Sequence, residues 1–382
     1  MKEINVAFVE PVGSHGGMDY YDSGLCAGLL HQGVSATWYT CDISKPCGNR
    51  PIFMQLTFVN IWGKDATWRR GARYILGLCR SIKHAKKNYS NIAHFHFFHV
   101  GVLEFLSVLF FRLFGFKVVA TVHDVESFKP GLTFSILLKW TYFLCNQLIV
   151  HNQVSKDELI NRSNVSINKI HVIPHGSYIG LVAPSMPKAD ARQALNVSSD
   201  EKVILFFGQI KEVKGLDLLI EALGLVKDKL KPFKLVIAGK VWKDNFSKYQ
   251  ELISKNGLND FCKLDIRYIP DQEISMFYSA ADLIVLPYRK IYQSGVLLMA
   301  MSYGTPVLAS DLPGMAQIIN DGENGFLFSA GNYIDLAEKL VKIFSYHDLS
   351  RITLQAENDM RTRFSWDEIA IKTISVYQKS IS

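Results

Sequence analysis

The sequence has little of what marks a secreted or zinc-binding protein. Its six cysteines show no pairing rhythm, no CxxC motif and no Cys/His cluster, so neither a disulfide framework nor a zinc site is indicated. The chain runs from Met1 into a strand pattern at residues 4–9 with no signal-peptide cleavage region. Unpaired thiols are typical of a reducing compartment, and we therefore expect a cytoplasmic protein.

The sequence also lacks an uninterrupted apolar run long enough to cross a membrane. The most apolar stretch, residues 97–120, is interrupted by His99, Glu104, Arg112 and Lys117. A spanning helix needs ~20 consecutive, mostly apolar residues. The stretch instead predicts a buried helix that ends near Gly115, followed by a buried strand over residues 117–122.

The composition is that of a globular protein with more than one domain. Of the 382 residues, 48% are apolar and 20% are charged, which excludes a disordered, collagenous or disulfide-stapled chain. At ~100–200 residues per domain, this length predicts two domains. The net charge of +7 comes from the first half, because residues 1–185 hold 18 Lys/Arg and 11 Asp/Glu, whereas residues 186–382 hold 24 of each.

One segment of the first half, residues 68–87, holds seven cations and no acid. On a helix, five of these cations form one stripe, opposite an apolar face: Arg69, Arg73, Arg80, Lys83 and Lys87. Such a helix is either a solvated surface helix or a site of attraction to an anionic membrane surface, at ~1 kcal/mol per cation. Nucleic acid is not an expected partner, because the chain has no nucleic-acid-binding motif.

Strand and helix patterns alternate along the whole chain and repeat in its two halves. The strand patterns lie at residues 4–9, 35–39, 93–98, 117–122, 147–150, 170–173, 203–207, 234–238, 262–268, 283–286 and 305–309. Such alternation predicts parallel sheets covered by helices on both faces. We expect an α/β protein with two doubly wound domains joined by a linker at residues 177–199, and ligands beyond the carboxyl ends of the strands.

Two segments of the second half have the composition of phosphate-binding loops. A strand pattern ends at Phe207, and Gly208 lets the chain turn before Lys211 and Lys214, which can face a phosphate at the positive end of the next helix. Downstream, small and polar residues at 293–295 open another helix, where backbone N–H groups are left for an anion. The first signal is weak alone, and the second strengthens the prediction of an anion-binding site.

In this order, the motifs resemble those of the GT-B glycosyltransferases, specifically the GT4-like enzymes (glycosyl transferases group 1). The matching segments are residues 13–17, 121–124, 172–176, 207–217, 280–282 and 300–307. The resemblance covers essentially the whole chain and implies two Rossmann-like domains facing each other across a cleft. It implies an acceptor-binding domain at 1–182, a nucleotide-sugar-binding domain at 183–363 and a C-terminal helix at 364–382 that packs on the first domain.

The resemblance assigns donor binding to residues of both domains: Gly16, Gly17, Gln209, Lys211, Lys214, Tyr268, Ile269, Gln293, Ser294, Gly295 and Val296. Lys214, helped by Lys211 or Gln209, would hold the diphosphate together with the backbone amides of residues 294–296. Tyr268 and Ile269 would lie against the nucleobase. In the first domain, the two glycines would let their loop approach the donor and the acceptor closely.

Catalytic roles fall on the first domain. By the resemblance, His123 would contact the transferred sugar, and Asp124 would act on the acceptor hydroxyl. Retaining members usually carry two glutamates where this chain has Ile291 and Met299. Three explanations are open: other groups (Tyr292, Gln293 or Asp311) hold the sugar and ribose, the enzyme is inverting with Asp124 or Glu126 as base, or activity is lost.

The expected function is transfer of a hexose from a UDP- or GDP-sugar to a lipid-linked or polysaccharide acceptor at the cytoplasmic membrane face. No metal or cofactor is expected, because no DxD motif is present and lysines with a helix terminus would replace the metal. His94, His96 and His99 lack the carboxylate or cysteine that would make them a metal site. A catalytically silent GT-B subunit and a nucleotide-sugar epimerase are the alternatives.

Overall fold

The computed structural model describes residues 3–13, 17–123, 132–243, 245–346 and 348–381. The chain divides into two compact units, Met1–Gly176 with Phe364–Ser382, and Ser177–Arg363. The first unit thus ends at Gly176, whereas the sequence placed the boundary at residue 182.

The first unit is built on a seven-stranded parallel sheet with the order β3-β2-β1-β4-β5-β6-β7. Its strands are β1 Asn5–Glu10, β2 Ser35–Cys41, β3 Phe53–Phe58, β4 Ile92–Phe97, β5 Lys117–Val122, β6 Gln147–Val150 and β7 Ile170–Val172. Its first five helices are α1 Met18–His31, α2 Thr67–Lys87, α3 Val102–Leu113, α4 Leu132–Leu144 and α5 Gln153–Ser163. One core cluster contains side chains of the strands and of α2, α3, α4 and α5, so these four helices share one face of the sheet.

The second unit is built on a six-stranded parallel sheet with the order β10-β9-β8-β11-β12-β13. Its strands are β8 Lys202–Phe207, β9 Phe233–Ala238, β10 Cys262–Asp265, β11 Leu283–Leu286, β12 Val307–Ser310 and β13 Phe326–Phe328. Its helices are α6 Lys188–Ala194, α7 Leu216–Leu230, α8 Ser247–Lys255, α9 Asp271–Ala280, α10 Gly295–Ser302, α11 Pro313–Ala316, α12 Tyr333–Ser345 and α13 Ser350–Arg361. The central strands are apolar and buried on both faces, as parallel sheets require.

The last helix, α14 (Trp366–Ile381), belongs to the first unit and packs against α1. Two glycines of α1 permit this close approach. A Cβ atom on Gly24 would lie 2.1 Å from the Trp366 ring, and one on Gly28 would lie 2.4 Å from the Trp366 carbonyl oxygen. The Tyr377 hydroxyl of α14 also lies 2.6 Å from His94 Nδ1 on β4.

The structure confirms the predicted fold class and corrects several local expectations. Strands β3 and β13 and helix α6 were not predicted from the sequence. The helix expected to be buried before Gly115 is α3, and it leaves Leu113 and Phe114 71% and 56% exposed. None of the helices in the described residues combines the length and the hydropathy needed to cross a bilayer.

Candidate functional site

In the second unit, the two loops with phosphate-binding composition lie at the same edge of the sheet. They follow β8 and β11, which are neighbouring parallel strands paired through Leu283 with Ile204. Gly208, just after β8, has a φ of 107°, and a Cβ atom built on it would lie 3.3 Å from Val296 Cγ2. The structure therefore brings together the two segments that the sequence assigned to one diphosphate.

Lys214 is the last residue of a short 3₁₀ turn, Glu212–Lys214, that leads into α7. Its Nζ lies 3.6 Å from the centre of the buried Tyr288 ring, in cation–π geometry. Two contacts fix this turn against the segment after β11. The Arg289 guanidinium pairs with Asp217 at 2.6 Å and donates to the Glu212 carbonyl at 3.1 Å.

Gly215 shows how closely these two segments approach each other. It has a φ of 66°, and a Cβ atom there would lie 1.8 Å from the Pro287 carbonyl oxygen. Only glycine fits this position, since both the backbone conformation and the contact exclude a side chain. The approach holds the Lys214 ammonium beside the end of β11.

Ser294 is the N-cap residue of α10, and its hydroxyl group is engaged in the cap. It is 2% exposed, and its Oγ accepts a hydrogen bond from the Leu297 N–H at 3.2 Å. The N–H groups of Gly295 and Val296 lie in the first turn, where an α-helix offers no internal acceptor. With the positive end of the helix dipole, they form a surface suited to an anion.

The other predicted donor residues differ in accessibility. Gln209 is exposed, Gln293 is half-buried, and Lys211 Nζ lies 6.0 Å from the Trp242 ring centre. Tyr268 follows β10 and is 68% exposed, whereas Ile269 is only 7% exposed. Tyr268 therefore offers a ring surface to a base, and the Ile269 side chain offers almost none.

In the first unit, His123 follows β5 and uses both ring nitrogens in contacts with other histidines. His123 Nε2 lies 2.8 Å from His96 Nδ1, and His123 Nδ1 lies 3.1 Å from His151 Nε2. His151 Nδ1 in turn lies 3.0 Å from the Ile173 carbonyl oxygen. Histidines from neighbouring strand ends therefore form one hydrogen-bonded chain.

The Ile173 carbonyl fixes the direction of this chain. A carbonyl only accepts, so His151 donates from Nδ1 and accepts at Nε2. His123 then donates from Nδ1 and accepts at Nε2 from the Nδ1–H of His96. Burial lowers the pKa of His151 to about 3 and that of His123 well below its usual range, so these rings are neutral at pH 7.

The chain ends in an unpaired lone pair on His96 Nε2, 3.8 Å from Asp22 Oδ1. In the described residues, neither this nitrogen nor either Asp22 oxygen has a hydrogen-bond partner. Burial, followed by repulsion from Glu10 and Asp19, raises the Asp22 pKa well above its usual range. The protonated carboxyl fits the geometry, because an ionised one would face a lone pair.

The remaining predicted residues of the first unit divide into two groups. Gly17 is described and caps α1 with a φ of 86°. Gly16, Asp124 and Glu126 lie outside the described residues.

Two family models match the chain, one in each half. Residues 15–177 match "Glycosyltransferase Family 4", and residues 187–356 match "Glycosyl transferases group 1". The chain belongs to the GT4-like glycosyltransferases. The fold also agrees with this family, since solved structures with two sheets of this kind match along nearly the full length.

Three proteins illustrate what this chain is similar to in sequence or in fold. An uncharacterized glycosyltransferase of Methanocaldococcus jannaschii, MJ1607, is 29% identical over 252 residues, which are 62% of this chain and 61% of that relative. Sucrose-phosphate synthase from Thermosynechococcus elongatus has a TM-score of 0.75, 19% identity and 99% coverage of both chains. Anabaena HepE in complex with UDP-glucose has a TM-score of 0.71, 16% identity, and coverage of 98% of this chain and 100% of that one.

Sequence reasoning missed a cavity of about 580 Å³ in the first unit of this GT4-like chain. Apolar and aromatic side chains form most of its wall: Pro11, Val12, Ile61, Trp62, Tyr74, Phe98 and Leu103. Its polar lining includes Glu10, Arg70, His96 and Glu104. Burial raises the Glu10 pKa to about 8, although the Val12 N–H donates to its carboxylate at 2.8 Å.

Only one sequence signal pointed toward this cavity. Glu10 is an acidic residue that directly follows a buried apolar strand, at the sheet edge where ligands of doubly wound domains bind. Apart from Pro11 and Val12, the other lining residues come from residues 61–104, far away in the sequence.

Proposed function

We propose that this chain transfers a sugar from a nucleotide-diphosphate sugar, UDP- or GDP-linked, to a hydroxyl group of a membrane-attached or saccharide acceptor. The observation that carries the proposal is the shared sheet edge of the second unit. There the N-terminus of α10 lies against Gly208, and the Lys214 turn packs on the segment that follows β11 and leads to α10. A lysine beside free amide groups is the arrangement that a diphosphate requires.

The same groups would promote the reaction. As the sugar–phosphate bond breaks, negative charge builds up on the leaving diphosphate, and a fixed cation and aligned amide dipoles stabilise that charge. We propose that Lys214, Lys211 and α10 do this without a metal ion. The HepE structure with UDP-glucose supports a nucleotide-sugar donor for a protein of this fold.

Other groups would hold the sugar and ribose. Ile291 is half-buried and Met299 is 7% exposed, and neither side chain can accept a hydrogen bond from a hydroxyl group. Tyr292, Gln293 and Asp311 remain the polar candidates in this unit. In the first unit, both ring nitrogens of His123 are engaged and its ring stacks with Phe98 and His96, so His123 would meet a sugar through a ring edge.

We propose that the cavity of the first unit receives the acceptor. Its aromatic and apolar wall suits a sugar ring or the first part of a lipid, and Glu10 and Glu104 can accept hydrogen bonds from hydroxyl groups. A base with a pKa near the working pH is efficient at removing a proton, and Glu10 has that property. Glu10 thus joins Asp124 and Glu126 as a candidate base.

The basic stripe of α2 supports a membrane-attached acceptor. Arg69, Arg80, Lys83 and Lys87 are exposed, as the sequence predicts. Arg73 differs, because it is half-buried and pairs with Asp65 at 2.6 Å. Four of the five predicted cations are therefore open to anionic headgroups.

The direct test measures release of UDP or GDP from a panel of sugar nucleotides, with and without a polyprenyl-diphosphate-linked saccharide as acceptor. We expect release with one donor and an increase on adding acceptor. Nuclear magnetic resonance of the anomeric proton of the product then distinguishes retention from inversion. Binding of nucleotide without any release would contradict transferase activity and favour a catalytically silent subunit.

A further inference from the structure

The outward side of α4 is apolar, although it faces away from the core. Its outward residues recur at i, i+3, i+4 and i+7: Ile136, Lys139, Trp140 and Phe143. Ile136, Trp140 and Phe143 are 53%, 55% and 66% exposed. Leu138 and Tyr142 are buried on the opposite side. A solvated amphipathic helix would carry polar residues on its outward side, whereas Lys139 is the single polar residue among these four outward residues of α4.

The neighbouring helix α3 has the same character and packs against α4. Val108 and Phe111 point into the core, whereas apolar residues at both ends of the helix are exposed. Together with α4 they form what we call the α3–α4 face: Val102, Leu103, Leu113, Phe114, Ile136, Trp140 and Phe143. Single exposed apolar residues are common, but a set on adjacent helices marks an interaction surface.

Cations border this face. Lys139 lies within it, Lys169 Nζ lies 5.6 Å from the Phe143 ring centre, and Lys86 Nζ lies 4.7 Å from the Phe116 ring centre. The basic helix α2 is the next helix along the sheet, joined to α3 by a Tyr74–Ser107 hydrogen bond of 2.9 Å.

Among the residues that the structure describes, the acids near the face are few and mostly engaged. Glu104 accepts a hydrogen bond from the Gly101 N–H at the start of α3. On α5, Glu158 pairs with Arg162, and Asp157 accepts from Gln153 at 2.7 Å. The border that α2 and α4 provide is therefore positive.

We propose that the α3–α4 face is a membrane-docking surface that inserts into the headgroup region of an anionic bilayer. Exposed Trp140 and Phe143 suit the boundary between headgroups and acyl chains, where aromatic side chains concentrate. Lysine stems can lie along the apolar surface while their ammonium groups reach lipid phosphates.

The docking surface deepens the proposed function and rests on it for its biological purpose. The acceptor cavity is lined by Leu103 of α3 and by Arg70 and Tyr74 of α2. An acceptor anchored in the bilayer beside these helices can therefore enter the cavity without leaving the membrane. Docking itself is a physical property of the first unit and can be measured without any sugar donor.

The test is flotation of the full chain with phosphatidylcholine vesicles, with and without phosphatidylglycerol. We expect binding to the anionic vesicles and a loss of about tenfold or more in the Trp140→Ser/Phe143→Ser variant. The matched control is Leu225→Ser/Leu354→Ser, two residues of the second unit that are 58% and 65% exposed. It should bind like wild type. Circular dichroism checks that each variant is folded.

A second measurement locates the insertion. Lipids brominated near the headgroup should quench the fluorescence of Trp140, identified by comparison with a Trp140→Phe variant that still binds. Unchanged flotation of the double variant, or equal binding to neutral and anionic vesicles, would overturn the proposal.

A lipid-independent dimer that the double variant abolishes, with no vesicle binding, would instead assign the face to a second copy of the chain and overturn the proposal. UDP stabilisation measured on the same samples reports on the second unit. A wild-type protein that binds vesicles but no nucleotide would contradict the proposed transferase and leave the docking surface intact.

Discussion

At the scale of single residues, the first unit concentrates neutral, buried titratable groups near the carboxyl ends of its central strands. Glu10 is 1% exposed, and desolvation dominates the increase in its pKa to about 8. The histidine chain shows the converse, because burial makes charged imidazoles unfavourable and keeps His96, His123 and His151 neutral. These groups can therefore take up or release a proton when a ligand binds, and none of them has to remain a buried ion in the free protein.

The raised pKa of Glu10 predicts a pH-dependent cost to stability. The folded protein keeps the Glu10 proton up to about pH 8, whereas the unfolded chain loses it near 4.5. The contribution of Glu10 to the free energy of unfolding is therefore fully present below pH 4.5 and is lost as the pH rises toward 8. A Glu10→Gln variant should gain stability relative to wild type over this window, by at most ~1.4 kcal/mol per pH unit.

Urea unfolding of both proteins from pH 5 to pH 8 measures this difference. Glu251→Gln is the control, because Glu251 is exposed on α8. A stability difference between Glu10→Gln and wild type that does not change with pH would show that Glu10 is ionised in the folded protein.

At the scale of secondary-structure elements, glycine spacing decides how α14 joins the first unit. Gly24 and Gly28 lie one turn apart on α1, and the Trp366 ring and main chain occupy the space that side chains would fill. Gly71 on α2 provides a contrast, because nothing lies within 4 Å of the position of its Cβ atom. Replacing a glycine with a larger residue should therefore lower the stability of the protein in α1 but not at Gly71 in α2.

Gly28→Ala should destabilise the protein by about 1–3 kcal/mol, since the new methyl group would meet a backbone oxygen that cannot move aside. Gly71→Ala should stabilise it by up to ~1 kcal/mol, because alanine favours the helix. Thermal unfolding of the two variants gives the sign of each change. Equal effects would contradict the close α1–α14 packing.

At the scale of the whole molecule, the first unit is built from two separate segments of the chain, whereas the second unit is built from one. Removal of residues 364–382 therefore takes α14 away from the first unit. α14 buries Trp366, Ile369, Val376 and Tyr377, at ~1.5–3 kcal/mol each, which approaches the ~5–15 kcal/mol total stability of a typical domain.

Calorimetry of the truncated protein should show loss of one unfolding transition and survival of a second that UDP still raises in temperature. Disappearance of both transitions would mean that the two units do not unfold independently.

The sequence predicts those parts of the molecule that local patterns determine. Lys117–Val122 is mostly apolar and Leu283–Leu286 is wholly apolar, and both strands have the expected bounds. β3 was missed because it is an edge strand with exposed Phe53 and Leu56. An edge strand buries only part of its surface, so it lacks the continuous apolar run of a central strand.

The candidate site likewise has residues whose position the sequence predicts and others whose position it does not. Lys214 lies in the connection from β8 to α7 and Ser294 in the connection from β11 to α10, so their position at the sheet edge was predictable. The histidine chain, the Glu10 cavity and the exposed side of α3 were not. They depend on the order β1-β4-β5-β6 and on which helices share a face, and contacts of that range leave no local pattern in the sequence.

The central claim is that Lys214 and the start of α10 hold the diphosphate of a nucleotide-sugar. Calorimetric titration of UDP and GDP against wild type, Lys214→Ala and the exposed control Lys255→Ala tests it most directly. Loss of a charged hydrogen bond costs ~1.5–3 kcal/mol, so Lys214→Ala should bind about 10–100-fold more weakly while Lys255→Ala is unchanged. Equal affinity of wild type and Lys214→Ala for the preferred nucleotide would contradict the account.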